Sequence, residues 1–422
     1  MSSAFIQNGD RAMENKIKIA VIGGGAAGMM AAGSAGMLGA DVTVFEHVGR
    51  LGKKLAITGK GRCNVTNDSS PNEILENVTR NPRFLFGALN AFPPSSVMAL
   101  FEELGVPLKT ERGRRVYPVS DKAIDIVEAM KMYCSDARIV FANVTEIKKE
   151  ADIFILTADS RQYSFDRVIL ATGGKSYPLT GSDGSGYSLA ISLGHKVSEL
   201  RPSLVPLESD SKYCRDMQGL SLKNIKIKIT DKNGKIIYTD FGEMMFAHFG
   251  VTGPVILSAS AHLVGLDIKS LNLEIDLKPA LDEKTLDLRL LSDFGAKSNK
   301  DFINALSDLL PSTMIAPFVE YTKIPARKKV NSITKEERRT VLNALKCFRI
   351  PLKGTRPIEE AIITSGGVLT TEISPKTMES KITEGLYFCG EMIDVDAYTG
   401  GYNLQIAFST GYLAGKSAAE WS

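Results

Sequence analysis

The stretch Val21-Ile-Gly-Gly-Gly-Ala-Ala-Gly28 follows an apolar run directly and decides the fold. Gly23, Gly25 and Gly28 fit the pattern G-x-G-x-x-G, and Glu46 closes the next apolar run. In this pattern the first glycine permits a tight turn, the second lets the backbone approach a pyrophosphate, and the third lets the helix pack on the sheet. The helix N-terminus then presents free N–H groups to the phosphates. The stretch predicts a strand–helix–strand unit that binds FAD or NAD, with Glu46 on the ribose hydroxyls.

The bulk composition is typical of a globular protein with room for two or three domains, since 422 residues are 44% hydrophobic and 23% charged. The net charge of +3 gives no strong electrostatic case for nucleic acid or a membrane, so we expect neither as a partner. The five cysteines are scattered without C-x-x-C spacing. We therefore expect reduced thiols, a cytoplasmic location and no metal site. The sequence carries no signal of oligomeric state.

The pattern of apolar and polar residues changes along the chain. Alternating patterns predict a β-hairpin over residues 222–239, and helical patterns cover 72–104, 282–309 and 335–346. Residues 138–147 read as strand. These patterns divide the chain into a flexible leader without a signal-peptide layout (1–15), the first part of a nucleotide-binding domain (16–202), an inserted β-rich domain (203–280), an inserted helical subdomain (281–353) and the C-terminal part of the nucleotide-binding domain (354–422).

Several distinctive strings lie outside the glycine pattern. They are Thr58-Gly-Lys-Gly-Arg-Cys-Asn-Val-Thr-Asn67, Gly242-Glu-Met-Met-Phe-Ala-His-Phe-Gly-Val-Thr-Gly-Pro254, Thr364-Ser-Gly-Gly-Val368, Gly385-Leu-Tyr-Phe-Cys-Gly-Glu-Met-Ile-Asp394 and Thr399-Gly-Gly-Tyr-Asn-Leu-Gln405. Together they resemble the BaiN-type NAD(P)/FAD-dependent oxidoreductases, which include aminoacetone-oxidase-like flavoproteins. The resemblance implies bound FAD and an α/β fold, in which a Rossmann-type FAD-binding domain like that of glutathione reductase and fumarate reductase carries an inserted β-plus-helical module.

The resemblance also implies which residues hold FAD. Residues 171–174 form a second turn on the cofactor, Glu391 binds the ribityl hydroxyls, and the helix starting near Asn403 directs N–H groups at the flavin C2 carbonyl, where charge gathers on reduction. The predicted FAD contacts are Gly23, Gly25, Ala26, Ala27, Gly28, Glu46, His47, Lys54, Gly61, Arg62, Cys63, Asn64, Thr66, Val144, Thr172, Gly173, Gly174, Gly390, Glu391, Gly401, Tyr402, Asn403 and Leu404.

No residue identifies itself as the catalytic acid or base. The candidates are His248, Tyr177 and Tyr402, although residues in such positions more often have a structural or packing role. Cys63 has no neighbouring cysteine with which to form a redox disulfide, and the loop around Arg62 is predicted to wrap over the FAD phosphates.

The favoured interpretation is a FAD-dependent oxidoreductase that exchanges a hydride between flavin N5 and a small organic substrate, with NAD(P)H as electron donor. A second G-x-G-x-x-G unit is absent from the sequence, so NAD(P)H would dock transiently. One alternative is an amine oxidase that passes electrons to oxygen. The other is a non-enzymatic flavin-binding or RNA-associated factor, against which the mild net charge argues.

Overall fold

The structure, a computed structural model, describes residues 16–420, and the predicted leader lies outside them. The strands are β1 (Lys18–Ile22), β2 (Asp41–Phe45), β3 (Thr66–Asn67), β4 (Val78–Arg80), β5 (Leu108–Glu111), β6 (Arg115–Pro118), β7 (Arg138–Val140), β8 (Val144–Glu150), β9 (Ile153–Ala158), β10 (Arg161–Phe165), β11 (Arg167–Leu170), β12 (Arg201–Ser203), β13 (Leu207–Glu208), β14 (Ser221–Thr230), β15 (Ile236–Ala247), β16 (Gly250–Thr252), β17 (Asn272–Asp276), β18 (Phe348–Pro351), β19 (Gly354–Thr355), β20 (Ile363–Ser365), β21 (Leu386–Phe388) and β22 (Asp396–Ala397).

The α-helices are α1 (Ala26–Met37), α2 (Pro71–Glu76), α3 (Phe86–Ala91), α4 (Pro94–Glu103), α5 (Ala123–Tyr133), α6 (Ser185–Ser192), α7 (Lys212–Asp216), α8 (Pro254–Ala261), α9 (Glu283–Ala296), α10 (Phe302–Ala305), α11 (Ser312–Thr322), α12 (Lys335–Lys346) and α13 (Tyr402–Ala419).

A five-stranded parallel sheet in the order β21-β11-β1-β2-β7 forms the base of the nucleotide-binding part. Its central strands are rich in Val and Ile and almost wholly buried, as parallel strands covered on both faces are. α13 packs closely on α1 because small residues face each other: a Cβ added at Gly415 would lie 2.2 Å from the Ala31 carbonyl oxygen. This arrangement confirms the predicted Rossmann-type fold.

Two predicted elements are wrong in detail. The helical pattern over 72–104 is divided into α2, β4, α3 and α4, because Asn81 takes a left-handed backbone (φ +53°) and Pro82 and Pro93 cannot continue a helix. β4 instead pairs with β22 near the cavity described below. The predicted strand over 138–147 is two strands that join different sheets, since β7 extends the parallel sheet and β8 pairs with β9.

The inserted region is built on a seven-stranded antiparallel sheet in the order β18-β17-β14-β15-β16-β13-β19. It has a hydrophobic core of its own, which includes Ile227, Leu273, Phe318 and Leu345. β19 belongs to this sheet, so the sheet extends two residues beyond the predicted boundary at residue 353. The chain enters and leaves the insertion through the antiparallel pair β12–β20, in which Ser203 lies opposite Ile363.

Among the described residues, no single helix combines the length and the apolar composition needed to cross a membrane. One pair of consecutive helical segments, residues 82–91 and 94–103, meets both requirements together, although the pair is bent by 41°.

Candidate functional site

A cavity of about 1010 Å³ opens where the parallel strands end and the insertion begins. Open α/β sheets bind their ligands at this carboxyl edge, and the volume lies at the upper end of the range of about 300–1,000 Å³ for cofactor and small-molecule sites. One wall carries the glycine pattern and the start of α1, and the facing wall comes from the insertion. The cavity therefore has room for an extended dinucleotide together with a second ligand.

Each of the three glycines of the pattern is required for a different structural reason. Gly23 has φ +106°, and an added Cβ would lie 2.5 Å from the Ala171 carbonyl oxygen. At Gly28 an added Cβ would lie 1.9 Å from the Gly23 carbonyl oxygen. Gly25 precedes α1 and has no heavy atom within 4 Å of an added Cβ, so its Cα faces open space in the cavity. Because no side chain caps α1, its first N–H groups are free for an anion such as a pyrophosphate.

Glu46 is buried at the end of β2 and lines the cavity. Its two carboxylate oxygens accept hydrogen bonds from the backbone N–H groups of Gly24 and Val48, each at 2.9 Å. Each oxygen keeps a second lone pair, so the carboxylate is held in place and still accepts from ribose hydroxyls. The neighbouring His47 lies 3.6 Å from Glu46 and 3.7 Å from Asp183.

Lys54 and Glu391 form an ion pair at 2.7 Å, although they are 337 residues apart. The Lys54 ammonium also donates to the Ser176 hydroxyl at 2.7 Å, and the other oxygen of Glu391 accepts from Ser176 at 3.0 Å and from the Thr364 N–H at 2.8 Å. The Glu391 carboxylate is thereby fixed by two side chains and one backbone N–H group from three other segments of the chain. This is the predicted ribityl-binding position.

The loop that follows β2 returns to the cavity through Asn64. The Asn64 Oδ1 is buried and has no hydrogen-bond partner among residues 16–420. Since buried polar atoms are normally paired, this orphaned acceptor in the cavity wall fits a ligand that carries an N–H or O–H donor. Cys63 points away from the cavity into the core, and burial raises the pKa of its thiol to about 12.

Arg62 lines the cavity but is held by carboxylates. Its guanidinium bonds to Glu111 and Asp121, at 2.5 and 2.6 Å, and lies 4.2 Å from the centroid of the Tyr117 ring. These hydrogen bonds raise the pKa of Arg62 further above its ordinary value. The arrangement orients Tyr117 at the cavity wall, which is a positioning role that the sequence did not indicate.

The N-terminus of α13 forms the far end of the cavity. Gly401 has φ +96° and packs on β3, since an added Cβ would lie 2.3 Å from the backbone of Thr66. The Asn403 side chain accepts from the Ala397 N–H at 2.9 Å and donates to the Ala397 carbonyl at 2.7 Å. No side chain caps α13, so its first N–H groups lack a side-chain partner at the end of the cavity where the flavin carbonyl is predicted to lie.

The structure brings most predicted FAD contacts together. The residues that line the cavity are Gly23, Gly25, Ala26, Ala27, Glu46, His47, Lys54, Arg62, Asn64, Val144, Thr172, Gly173, Gly390, Glu391, Gly401, Asn403 and Leu404, with the candidate Tyr177. Those that lie outside its wall are Gly28, Gly61, Cys63, Thr66, Gly174 and Tyr402. His248 also lies outside: it is exposed beyond the end of β15 and contacts Phe249 edge to face. Their roles toward FAD remain predictions.

Sequence reasoning missed the facing wall. Within the string of residues 242–254 it selected His248, whereas the cavity-lining members are Met245, Thr252, Gly253 and Pro254. These follow the turn of β15 into β16 and the start of α8, and only the folded insertion shows which of them face inward. Arg115, Tyr117 and Tyr398 were missed as well.

Comparison with known proteins identifies full-length relatives. The family described as HI0933-like protein Rossmann domain matches residues 17–417. A 3-dehydro-bile acid delta(4,6)-reductase of Clostridium scindens is 32% identical over 411 residues, covering 96% of this chain and 99% of the relative. Ribosomal RNA dihydrouridine synthases of Haemophilus influenzae and Escherichia coli are 31% and 29% identical, covering 94% and 93% of this chain and 97% and 95% of the relatives.

Solved structures share the fold at low identity. A 3-ketosteroid delta1-dehydrogenase from Sterolibacterium denitrificans superposes with a TM-score of 0.52 at 12% identity, covering 96% of this chain and 99% of that chain. The Mycobacterium smegmatis Sdh1 complex has a TM-score of 0.50 at 16% identity, covering 96% and 68%. These structures confirm the fold alone. The family match and the curated relatives confirm the predicted resemblance and the assignment of the chain as a FAD-dependent oxidoreductase.

One prediction is contradicted. The expectation that nucleic acid is no partner conflicts with the two relatives named ribosomal RNA dihydrouridine synthase. The net charge was a poor guide because it is summed over the whole chain and does not show where positive residues lie. Lys53, Lys60 and Arg115 all line the cavity, and none has a carboxylate within 4.0 Å among the described residues. We call these three residues the basic rim.

Proposed function

We propose that the chain, which belongs to the HI0933-like protein Rossmann domain family of FAD-dependent oxidoreductases, reduces a carbon–carbon double bond conjugated to a carbonyl group. The observation that carries this proposal is the single cavity between the glycine pattern and the insertion. Its inserted wall is largely apolar, with Leu204, Met245, Pro254 and Leu257. Such a wall suits a planar unsaturated ring and excludes water from a site of hydride transfer.

The names of the relatives support the same reaction. A delta(4,6)-reductase of a 3-dehydro-bile acid saturates carbon–carbon double bonds near an oxidised C3, and a dihydrouridine synthase saturates the uracil ring of uridine. Both names describe the addition of two hydrogens across a double bond next to a carbonyl. We propose this shared chemistry for the chain and assign it neither of the two substrates.

FAD fits the residues that are present. The free N–H groups of α1 and the open face of Gly25 suit the pyrophosphate, Glu46 suits the ribose, and the orphaned Asn64 Oδ1 offers an acceptor. The unpaired N–H groups at the start of α13 supply partial positive charge at the opposite end. When bound, the reduced cofactor supplies a hydride, and the protein supplies position, charge and a proton.

The basic rim supports an anionic substrate. Arg115 lies opposite Asn67 in the β3–β6 pair, and β3 packs on Gly401 at the start of α13. The rim residue Arg115 is therefore close to the end of the cavity assigned to the flavin ring. Glu46 lies at the other end of the cavity, which is assigned to the adenosine. A carboxylate or a phosphodiester on the substrate would find its counter-charge at Arg115, and RNA is therefore included as a substrate class.

We further propose that NAD(P)H reduces the flavin by transient docking. The test is anaerobic addition of NADH, NADPH or aminoacetone to the purified yellow protein, followed by mixing with one of three oxidants: a 3-oxo-Δ4,6 bile acid, ribosomal RNA lacking dihydrouridine, or oxygen. Bleaching by a nicotinamide and rapid reoxidation by the bile acid or the RNA, with the saturated product found by mass spectrometry, is expected. Reduction by aminoacetone with oxygen as the only rapid oxidant would establish the amine oxidase instead.

The two substrate classes separate in the rim variant Arg115→Ala. A phosphodiester substrate makes many contacts, so the KM for RNA should rise severalfold and its salt dependence should become shallower. For a bile acid the KM should rise only if the carboxylate is present, and the neutral methyl ester should be unaffected. An unchanged KM for every anionic substrate would remove the rim from the proposal.

A further inference from the structure

Tyr398 lines the cavity between β22 and the start of α13, and its backbone is fixed on both sides. Its N–H donates to the Asn77 carbonyl at 3.0 Å, and its carbonyl accepts from the Asn403 side chain at 3.3 Å. Since Asn403 lies in the first turn of α13, the phenol of Tyr398 has a set position relative to the helix N-terminus that is predicted to face the flavin. This residue was not predicted from the sequence.

The phenol of Tyr398 is hydrogen-bonded to His262 Nε2 across the boundary between the nucleotide-binding part and the insertion. His262 follows the last residue of α8, and solvent reaches it. Its ring stacks on Tyr238, with centroids 4.5 Å apart and planes at 29°. The Tyr238 hydroxyl in turn donates to Asp240 at 2.9 Å. The imidazole is thereby held against Tyr398 by contacts that belong wholly to the insertion.

We propose that Tyr398 donates the proton that completes reduction of the substrate and that His262 positions and reloads it. This rests on the proposed function. As the hydride reaches one carbon of the double bond, the electron pair moves to the other carbon and takes the phenolic proton of Tyr398. Nε2 of the neutral imidazole then takes up a proton from water, and the imidazolium so formed passes that proton from Nε2 to the phenolate. Two electrons and two hydrogens enter the substrate, and one proton is drawn from solvent.

The surroundings of the pair agree with these roles. Burial and the nearby carboxylates of Asp240 and Asp396 raise the pKa of Tyr398, which keeps the phenol protonated. Partial burial lowers the pKa of His262, while Asp240 opposes that shift. A neutral imidazole accepts from the phenol through Nε2, and a protonated one donates to the phenolate through the same atom.

Other candidates lack such an arrangement. Tyr177 lines the cavity, but its hydroxyl has no hydrogen-bond partner among residues 16–420. Tyr402 and His248 lie outside the cavity wall. Cys63 is completely buried. Among the tyrosines that line the cavity in the part of the chain that the structure describes, the Tyr398 phenol alone is hydrogen-bonded to a titratable group open to solvent.

A first experiment tests the pair without any turnover. The chain contains four histidines, so their imidazole signals can be followed singly by NMR as pH is varied. Tyr398→Phe should shift the titration midpoint of one histidine, assigned to His262 by its loss in His262→Asn, and leave the other three unchanged. An unaltered His262 titration in Tyr398→Phe would overturn the proposed hydrogen-bonded relay.

A second experiment measures the reaction itself. Wild-type and variant proteins loaded with FAD are reduced by dithionite and mixed anaerobically with the 3-oxo-Δ4,6 bile acid or the RNA. Tyr398→Phe should slow product formation by about 10²–10⁴-fold, the usual contribution of a general acid, with FAD content unchanged. His262→Asn should slow this single turnover less, through lost positioning of the phenol. In repeated turnover with excess reductant it should be slower still and lose the pH dependence that His262 contributes, because only repeated turnover requires the phenol to be reloaded. The controls are Tyr163→Phe, whose ring packs on Phe45, and His248→Asn.

The outcomes separate the two claims. If the reduced wild-type protein transfers no hydrogen to either substrate, the proposed reaction fails and the role of Tyr398 fails with it. If the wild type reacts and Tyr398→Phe reacts within twofold of it, the proposed function stands and the assignment of Tyr398 is overturned. If Tyr398→Phe is slow and His262→Asn matches wild type in repeated turnover at every pH, His262 has no part in reloading the phenol.

Discussion

Substituting single glycines of the first turn should separate cofactor binding from folding. An alanine Cβ at Gly28 would lie 1.9 Å from the backbone oxygen of Gly23, and backbone at that distance cannot yield without moving α1. Overpacking of this kind costs about 1–3 kcal/mol. At Gly25 the added Cβ meets no atom within 4 Å, and φ is −80°, so the cost to the protein without cofactor is limited to a poorer N-cap, less than about 1 kcal/mol.

The two variants should therefore fail in different ways. Gly28→Ala should lower the melting temperature of the FAD-free protein, by about 1 °C for each kcal/mol lost in a chain of this length. Gly25→Ala should melt near the wild-type temperature without FAD but bind FAD at least tenfold more weakly, because the methyl group occupies the space left for the pyrophosphate. Melting of the stripped protein and titration with FAD measure the two effects separately.

Gly36→Ala is the matched control. Gly36 lies in the same helix, and an added Cβ there also meets nothing within 4 Å, but it is two turns from the cavity. This variant should bind FAD normally and gain about 0.5–1 kcal/mol of stability from the lower entropy of the unfolded chain. If Gly25→Ala binds FAD as tightly as Gly36→Ala does, the assignment of the open face of Gly25 to the pyrophosphate is refuted.

Three further predictions follow from the same contacts. Lys54→Met should leave the largely buried Glu391 carboxylate without its counter-ion and weaken FAD binding, which is measured by the fluorescence of released FAD. The double variant Lys54→Met/Glu391→Gln should recover part of the lost binding. Equal loss of FAD in both variants would show that the ion pair is not the cause. Cys63→Ser should retain most of the turnover, and native Cys63 should resist iodoacetamide at pH 8, since its pKa is raised to about 12; a large loss of turnover with FAD still bound would make the thiol catalytic. Residues 204–362 can be replaced by Asn-Gly, which joins the paired Ser203 and Ile363 through a two-residue turn. The shortened protein should still bind FAD but reduce no substrate. A soluble shortened protein that turns over substrate normally would contradict the shared cavity.

The first strand–helix–strand unit was predictable because its signal is local. The glycine spacing, the apolar runs and Glu46 all lie within residues 17–46, and Glu46 accepts a hydrogen bond from Gly24, 22 residues away. The strands β3 and β13 were not predictable, because each has two residues and exists only through pairing with distant strands. Pattern within a window of ten residues carries no information about such pairing.

The same distinction explains the histidines. His248 attracts attention in the sequence because aromatic residues flank it, yet it falls just after β15 ends and faces solvent. His262 has an ordinary sequence context, and its partner Tyr398 is 136 residues away. Their contact depends on how the insertion folds back over the cavity. The two residues of this pair belong to parts of the chain that fold around different cores. Their contact therefore produces no periodicity or spacing that could be recognised in a single sequence.

The division of the cavity between two parts gives a physical account of how one family serves dissimilar substrates. The relatives named for a bile acid and for ribosomal RNA each align over 95% or more of their own length, so added domains do not account for the difference in their names. The residues that would hold FAD come from the nucleotide-binding part, whereas Met245, Pro254 and Leu257 come from the insertion. Substitutions on the inserted wall and the basic rim can therefore change the substrate while the sites for FAD remain intact. Because the Tyr398–His262 hydrogen bond joins the two parts, it would keep the proton donor in register with the flavin as the inserted wall varies.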